Sequence, residues 1–309
     1  MSSQHPEISF VSPVYRAENI LPELVSEIQK VMMKIKKSYE IIFVDDRSPD
    51  DSWLVMKTLS SKFPEVKSIR LSRNFGQHPA IMAGLSQANG NWVVVMDCDL
   101  QDQPKEVEKL YNKALQGFDA VLAQRKKRKD KFLKKLSSKL FARFYGYFTN
   151  TNYDHSVANF GIYKAKVITS ILSVKDYIKF FPLFVKFVGF NVTAIEVEHC
   201  RREDNTSSYS FFKLVSLAFN TVISFSNKPL KLFVKFGMLI SVLSFLFGTY
   251  TLIKYFKGDI KVLGYSSLII SIWFLSGLVI TIIGVAGIYI GKIFDQSKNR
   301  PVYIIDEVL

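Results

Sequence analysis

The sequence predicts an α/β domain with a mostly parallel sheet, followed by two transmembrane helices. Short apolar runs alternate with helical patterns over the first 125 residues, which is typical of helices covering a parallel sheet. From Leu232 onward, two long apolar runs with almost no charge replace this mixed composition. We therefore expect one domain at residues 1–225 and a membrane domain at residues 226–309.

Five short apolar runs predict the strands of the sheet, and four segments between them predict helices. The strands are ISFVSPV, EIIFVDD, VKSIRLS, NWVVVMD and FDAVLAQ, and the helices are Ile20–Lys37, a segment from about Asp51, Gln77–Ala88 and PKEVEKLYNKAL. Ligands of such sheets bind at the carboxyl ends of the strands. Asp45, Asp46, Asp97 and Asp99 all follow strands in this way, so we expect a site there.

The two apolar runs near the C-terminus, about 232–256 and 264–290, predict membrane spans. Each exceeds the roughly 20 helical residues that a bilayer core requires. A buried core helix is the alternative, but two such runs in succession favour the membrane. Basic residues flank the outer ends of both runs and also lie in the hairpin between them: Lys228, Lys231, Lys235, Lys292, Lys298 and Arg300 outside, and Lys254, Lys257 and Lys261, partly offset by Asp259, in the hairpin.

This charge distribution places both termini in the cytoplasm under the positive-inside rule. The start of the chain, MSSQHPEISF, lacks the basic and apolar regions of a secretory signal. We therefore expect a multi-pass protein of the inner (plasma) membrane, with the domain at residues 1–225 in the cytosol. The spans could also support self-association into a homo-oligomer.

The net charge of +14 requires an anionic partner, and much of it lies between Arg125 and Phe148. Phenylalanines and leucines recur there at helical spacing among lysines, which predicts an amphipathic interfacial helix around residues 126–148 on the lipid bilayer. An ordinary helix with a solvated basic face is the alternative. The membrane spans and the lack of a stacking-aromatic groove argue against nucleic-acid binding.

The segment VVVMDCDLQD is the sharpest chemical feature of the sequence. Asp97 and Asp99 are two apart on an extended chain, so their carboxylates project to the same side. Oxygen ligands of this type suit Mg²⁺ or Mn²⁺, with substrate phosphates completing the shell, and Gln101 could add a carbonyl oxygen. Cys98 points the other way and is interpreted as a packing residue. With Cys200 it forms no disulfide framework, which fits a reducing cytosol.

Two further loops follow predicted strands. In FVDDRSPDD, Asp50 is explained by helix capping, whereas Asp45 and Asp46 are not. In SPVYRAEN, Tyr15 could stack on a nucleobase, although this segment by itself favours packing of a loop aromatic on the sheet.

These segments together resemble glycosyltransferase family 2, whose fold is called GT-A. The likeness is greatest to the polyprenyl-phosphate branch, with its dolichol-phosphate mannose synthases and bactoprenol glucosyltransferases. It rests on six ordered segments: SPVY, VDDRSPD, LSRNFGQHPAIMAGL, GNWVVVMDCDLQDQP, ISFSNKPL and GIYIGKIFDQSKNRPVY. The corresponding family motifs include PVYNE, VDDGSxD, LSRNFG and MDADLQ.

The resemblance implies a role for several residues. Those expected to contact the nucleoside are Pro13, Tyr15, Val44 and Asp46. Asp97, Asp99 and Gln101 would hold the diphosphate through Mg²⁺ or Mn²⁺, with Asp99 central to catalysis. Arg125 and Arg202 match basic positions that line the donor or acceptor phosphates.

The sequence departs from the family pattern at three places. Arg16 and Ala17 replace the usual Asn and Glu, and Ser208 replaces a lysine in REDNTSSY. Asn159, in VANFGIY, occupies a position where the family often has an acidic residue. A sugar hydroxyl needs a general base, whereas a lipid phosphate is already an anion near neutral pH. Asn159 therefore fits a phosphate acceptor better than a hydroxyl acceptor.

The sequence thus predicts an inverting, metal-dependent hexosyltransferase-type enzyme for cell-envelope glycan synthesis. It would transfer a sugar from a nucleotide sugar to a polyprenyl phosphate such as undecaprenyl phosphate. A lipid-linked saccharide as acceptor and a non-catalytic membrane partner that retains the fold are the alternatives.

Overall fold

The computed structural model describes residues 5–125, 157–174, 181–198, 228–257 and 264–309. The described residues form two compact units. The first contains those up to residue 130, those from 154 to 207 and those from 300 onward. The second contains those between 208 and 299. The predicted interfacial helix at 126–148 lies outside the described residues and remains a prediction.

The first unit alternates strands and helices as the sequence predicts. Its strands are β1 (Ile8–Val14), β2 (Tyr39–Asp45), β3 (Val66–Leu71), β4 (Trp92–Val95), β5 (Ala120–Arg125), β6 (Val157–Lys164), β7 (Val192–Val197) and β8 (Ile305–Val308). The helices are α1 (Leu21–Ile35), α2 (Ser52–Lys62), α3 (Gln77–Leu85), α4 (Val107–Ala114), α5 (Ala165–Ser173) and α6 (Phe181–Phe187), and a 3₁₀ turn, Pro104–Glu106, precedes α4. The second unit contains α7 (Lys228–Phe256) and α8 (Tyr265–Ser297).

The eight described strands form one sheet in the order β7-β5-β6-β4-β1-β2-β3-β8. Strands β4, β1, β2 and β3 are parallel neighbours, and β5 pairs with β7 in parallel. Only β6 and β8 of these strands run in the opposite direction. The α/β class with a mostly parallel sheet is therefore confirmed. In this topology the carboxyl ends of β1, β2, β4, β5 and β7 share one edge with the start of β6.

Two apolar layers cover the faces of the sheet. One joins α1, α2 and α4 to side chains such as Phe10 and Phe43, and the other joins α3, α5 and α6 to Val11 and Val44. All seven residues of β1 are buried, as expected for a strand covered on both faces. This packing holds the strands rigidly, so the loops at their carboxyl ends start from fixed positions.

Gly84 allows α3 to approach the sheet closely. A Cβ atom added there would lie 2.4 Å from Val11 Cγ1 and 3.0 Å from Val44 Cγ2. We expect Gly84→Ala to destabilise the first unit by about 1–3 kcal/mol through overpacking. This should lower the melting temperature by roughly 2–4 °C per kcal/mol. Adding Val11→Ala should recover part of the loss by making room for the methyl group. A Gly84→Ala chain that melts like the wild type would contradict this interpretation of the contact.

The C-terminal region differs from the sequence prediction in two ways. Helix α8 ends at Ser297, seven residues beyond the predicted end of the second span. Residues 305–308, placed by the sequence in the tail of the membrane domain, form β8 on the sheet of the first unit. Within the described part of the chain, Ser271–Ser297 is the stretch long and apolar enough to cross a membrane, with a mean hydropathy of 2.2.

Candidate active site at the carboxyl edge of the sheet

Loops from adjacent parallel strands meet at one edge of the sheet. Three of them contain a non-glycine residue with a left-handed backbone: Arg16 after β1, Arg47 after β2 and Leu100 after β4, each with φ of 56–57°. This conformation is costly for residues with a Cβ atom, and such residues cluster at functional sites. The recurrence on three neighbouring strands marks this edge as the candidate site.

The two carboxylates predicted to bind a metal lie just beyond the end of β4. Asp97 and Asp99 are both half-buried. Asp97 Oδ1 accepts a hydrogen bond of 2.7 Å from Gln77 Nε2, at the start of α3. Asp99 Oδ1 accepts one of 3.1 Å from the backbone N–H of Gln101. The turn through Leu100 therefore orients Asp99, while α3 orients Asp97.

The donor chemistry of this loop fits a divalent metal that is shared with a substrate. Among the described residues, no group of three or more His, Cys, Asp or Glu side chains could hold a metal ion by itself. Mg²⁺ commonly takes only one or two carboxylates and completes its shell with water and substrate phosphates. Asp97 and Asp99, with the amide of Gln101, offer this partial oxygen set. An ion held by these residues would depend on phosphate oxygens of a substrate to complete its coordination.

Asp45 and Asp46 at the end of β2 are both buried and have different partners. Asp45 Oδ1 accepts the Ser48 N–H at 2.9 Å, and Asp45 Oδ2 lies 3.4 Å from Arg70 Nε. The two oxygens of Asp46 accept the N–H groups of Phe75 (2.7 Å) and Gly76 (2.8 Å). Asp46 therefore ties the loop after β2 to the loop that leads into α3.

The pKa of Asp46 is raised from its ordinary value of 3.8, first because burial disfavours its charge. The nearby carboxylate of Asp45 raises the pKa further, whereas the hydrogen bonds from Phe75 and Gly76 and the charge of Arg73 oppose the shift. The carboxylate is thus held by two backbone donors at an energetic cost.

The residues implied for nucleoside binding differ in exposure. Tyr15 is 46% exposed, and Arg16 Cζ lies 5.6 Å from its ring centroid. Pro13 is buried, and the side chain of Val44 is packed in the core beneath α3. Tyr15 is thus the one of the four predicted nucleoside contacts whose side chain is exposed, and contact through Pro13 or Val44 would require their backbone atoms.

Two residues with no assigned contact to a substrate, Ala17 and Cys98, are packed against the core. Ala17 is buried in the core, and its N–H donates to Ser52 Oγ at 2.9 Å. It also borders a cleft of about 350 Å³ between the loops after β1 and β2, lined as well by Arg16, Glu18, Asn19, Ile20, Pro49 and Asp50. Cys98 packs against the core as predicted, and burial raises the pKa of its thiol to about 12. This thiol stays protonated at neutral pH.

Asn159 lies on β6 at the same edge as the carboxylates. Gly161 pairs with Val95, the last residue of β4, so Asn159 and Asp97 lie two residues beyond this pair on the neighbouring strands. On its other side the register shifts between Leu122 and Gln124, which marks a β-bulge around residues 158–160. Bulges often redirect side chains near active sites. The half-buried Asn159 is thus close to the loop that contains Asp97 and Asp99.

The structure describes one of the two predicted arginines, Arg125. Arg125 is the last residue of β5 and pairs with Val197 of β7, at the same edge of the sheet. Arg202 and Ser208 lie outside the described residues, so their roles remain predictions.

Two residues near the candidate site, Gln77 and Arg73, were not predicted from the sequence. Gln77 donates a hydrogen bond to Asp97. Arg73 is exposed, and its Cζ lies 4.2 Å from the ring centroid of Phe75, whose N–H donates to Asp46. Both belong to LSRNFGQHPAIMAGL, a segment that resembles the family pattern but contains no predicted site residue. Its position directly after β3 was the available signal.

Comparison with known proteins identifies the family of the chain. The family model described as Glycosyl transferase family 2 matches residues 9–172. The uncharacterized glycosyltransferase YkcC of Bacillus subtilis (strain 168) is 36% identical over 306 residues, covering 99% of this chain and 95% of the relative. A bactoprenol glucosyl transferase of Shigella phage SfV is 32% identical over 300 residues, covering 97% of this chain and 98% of the relative.

A third relative is an undecaprenyl-phosphate 4-deoxy-4-formamido-L-arabinose transferase of Proteus mirabilis (strain HI4320). It is 31% identical over 306 residues, covering 98% of this chain and 94% of the relative. These matches confirm the resemblance to the branch that contains bactoprenol glucosyltransferases. The chain belongs to glycosyltransferase family 2.

Proposed function

We propose that the chain transfers a sugar from a nucleoside-diphosphate sugar to a polyprenyl phosphate, with inversion and with Mg²⁺ or Mn²⁺. The proposal rests on the position of four residues at the same edge of the sheet. Asp97 and Asp99 follow β4, exposed Tyr15 follows β1, and buried Asp46 follows β2. The names of the relatives from Shigella phage SfV and Proteus mirabilis support a lipid phosphate as acceptor.

The donor half of the site would use the loops after β1, β2 and β4. Tyr15 is exposed enough to stack on a base, and Asp46 fixes the loop beside it. Asp97, Asp99 and Gln101 would hold a divalent ion, which would supply positive charge for the diphosphate. Such an ion stabilises the negative charge on the departing nucleoside diphosphate. Arg125, the last residue of β5, would contribute positive charge for the donor or acceptor phosphates.

The acceptor half would be organised around Asn159. A lipid phosphate, whose second pKa is about 6, attacks the anomeric carbon without first giving a proton to the enzyme. A new bond forms between a phosphate oxygen and the anomeric carbon as the bond to the diphosphate oxygen breaks, which inverts the configuration. Asn159 lacks the charge of a carboxylate, so it can lie near an anionic phosphate without repelling it.

A purified full-length chain tests this function directly. It would be incubated with a panel of nucleotide sugars, undecaprenyl phosphate and Mg²⁺ or Mn²⁺. We expect release of nucleoside diphosphate with at least one donor, dependent on both metal and lipid. If no donor is turned over under any metal condition, the chain is a non-catalytic membrane partner that retains the fold.

The return of the chain to its sheet supports two membrane spans. Strand β7 precedes α7 and α8, and β8 follows them, yet both strands belong to the same sheet. A chain that leaves and re-enters one folded sheet crosses a bilayer an even number of times. Ser271–Ser297 is the candidate span among the described residues. We propose the 29-residue helix α7 as the second span. We therefore propose a multi-pass protein of the inner (plasma) membrane with a cytosolic catalytic domain.

Cysteine labelling tests this topology. A cysteine replacing Gly258, between α7 and α8, should react with impermeant reagent added from the extracytoplasmic side. A second cysteine at Asn299, after α8, should react only from the cytosolic side and serves as the matched control. Labelling of position 258 from the cytosolic side alone would contradict two spans.

A further inference from the structure

Strand β8 forms the outer edge of the sheet beside β3. It is antiparallel to β3, with Arg70 opposite Glu307 and Ile69 opposite Val308. Ser68 and Leu309 exchange two backbone hydrogen bonds, of 2.8 and 3.0 Å. The Ser72 N–H donates to Ile304 O at 2.9 Å, so pairing continues to the carboxyl end of β3. The end of the chain is therefore part of the folded catalytic unit.

Two ion pairs connect β8 to the rest of the unit, and they reach different places. Glu307 Oε1 lies 2.9 Å from Lys57 Nζ on α2. Asp306 Oδ2 lies 2.9 Å from Nη1 of Arg47, in the loop after β2. The side chains of both pairs are similarly exposed, at 40–51%. The two ion pairs therefore differ mainly in the element that each connects to β8: the Glu307 pair connects α2, and the Asp306 pair connects the loop after β2.

Arg47 lies in the middle of a loop that joins three strand ends. Its neighbour Asp46 holds the backbone of Phe75 and Gly76. Its other neighbour, Ser48, accepts the N–H of Arg16 at 3.3 Å through Oγ. Arg47 itself has φ of 57°, a conformation in which glycine is the favoured residue. A contact on its side chain can offset the tendency of this backbone to relax.

We propose that Asp306 is a positioning residue for the donor site: through Arg47 it holds the loop after β2 in the conformation that receives the nucleotide. This inference rests on the proposed function, since it concerns the same donor-binding edge. Under this proposal β8, which follows α7 and α8 in the chain, contributes to donor binding through Asp306. An ion pair this exposed contributes little to global stability, so its removal should alter the loop more than the melting temperature.

The test compares Asp306→Asn with Glu307→Gln in the full chain. Asp306→Asn should raise the KM for the nucleotide sugar about fivefold, the upper range for an exposed pair, and leave the KM for the lipid acceptor unchanged. Glu307→Gln breaks an equally exposed pair on α2 and should change neither. Exchanging the charges, as Arg47→Asp with Asp306→Arg, should restore part of the loss. Equal donor KM values for Asp306→Asn and Glu307→Gln would overturn the proposal.

Two further readouts separate the outcomes. If Arg47→Ala raises the donor KM but Asp306→Asn does not, Arg47 contacts the donor directly and the positioning role is wrong. Amide hydrogen exchange at residues 45–48 needs no turnover, and it should be faster in Asp306→Asn than in Glu307→Gln. If the wild type turns over no donor, the proposed function fails, whereas the exchange comparison still decides whether Asp306 holds the loop.

Discussion

Asp99→Ala is expected to reduce sugar transfer at least a thousandfold while leaving the chain folded and in the membrane. The loss corresponds to about 4 kcal/mol of transition-state stabilisation, which is reasonable for removing a ligand of a catalytic metal. Asp99 is half-buried at the end of the β4 loop, and its contact with the Gln101 N–H fixes its direction. Alanine removes the ligand without disturbing the buried part of β4.

The matched control for this change is Asp119→Ala. Asp119 lies at the opposite edge of the sheet and pairs with Lys166 at 2.7 Å. Its removal should leave transfer within about twofold of the wild type, because Asp119 directly precedes β5 and so lies at the end of that strand away from the candidate site. Chelation provides a second check, because excess EDTA should abolish wild-type activity and added Mg²⁺ or Mn²⁺ should restore it. Activity within a few-fold of wild type in excess EDTA would rule out the metal role of Asp97 and Asp99.

Asp46→Asn should lower kcat/KM about 100-fold, with the KM of the donor affected more than that of the lipid. The amide keeps the shape of the carboxylate but turns an NH₂ group toward one of the two N–H donors, of Phe75 and Gly76. A buried donor without an acceptor costs about 1–3 kcal/mol. The loop that leads to Gln77, and hence to Asp97, should then shift. A displacement of about 1 Å in a catalytic site can cost about 100-fold in rate.

The pH dependence of stability distinguishes this effect from simple unfolding. Burial raises the pKa of Asp46 in the folded chain, so protonated Asp46 favours folding. This contribution to the free energy of unfolding is complete below pH 3.8 and is lost as the pH rises through the folded pKa. The melting temperature of the wild type should therefore fall relative to that of Asp46→Asn as the pH rises from 3.8 through the folded pKa.

Asp51→Asn is the control for the loss of activity, because exposed Asp51 makes no side-chain cap to α2. Equal activity of the two variants would contradict the role of Asp46.

The sheet and its functional edge were predictable because their signals are local. Runs such as VVVMD combine buried apolar residues with a carboxylate directly after the strand, and the period of the pattern separates strands from helices. The position of Asp97 and Asp99 at a strand end follows from this pattern alone. Topology then brings Tyr15 and Asp46 to the same edge, because parallel strands align their carboxyl ends.

The features that could not be predicted from the sequence depend on contacts between residues far apart in the chain. Strand β8 has only four residues, two of them acidic, and its partner β3 lies more than 200 positions earlier in the chain. Gln77 reaches Asp97 across 20 positions, from one strand-end loop to another. The burial of Val44 beneath α3 also depends on Gly84, which lies 40 positions away. Local hydrophobic patterns contain no information on such pairings.

The identity of the labelled product tests the central claim most directly. Purified chain in membranes would receive a radiolabelled nucleotide sugar, a divalent metal, and either undecaprenyl phosphate or a lipid-linked saccharide as acceptor. We expect label to enter a monoglycosylated polyprenyl phosphate, with the anomeric configuration opposite to that of the donor. Label transferred to the lipid-linked saccharide, with none on undecaprenyl phosphate, would contradict a lipid phosphate as the acceptor.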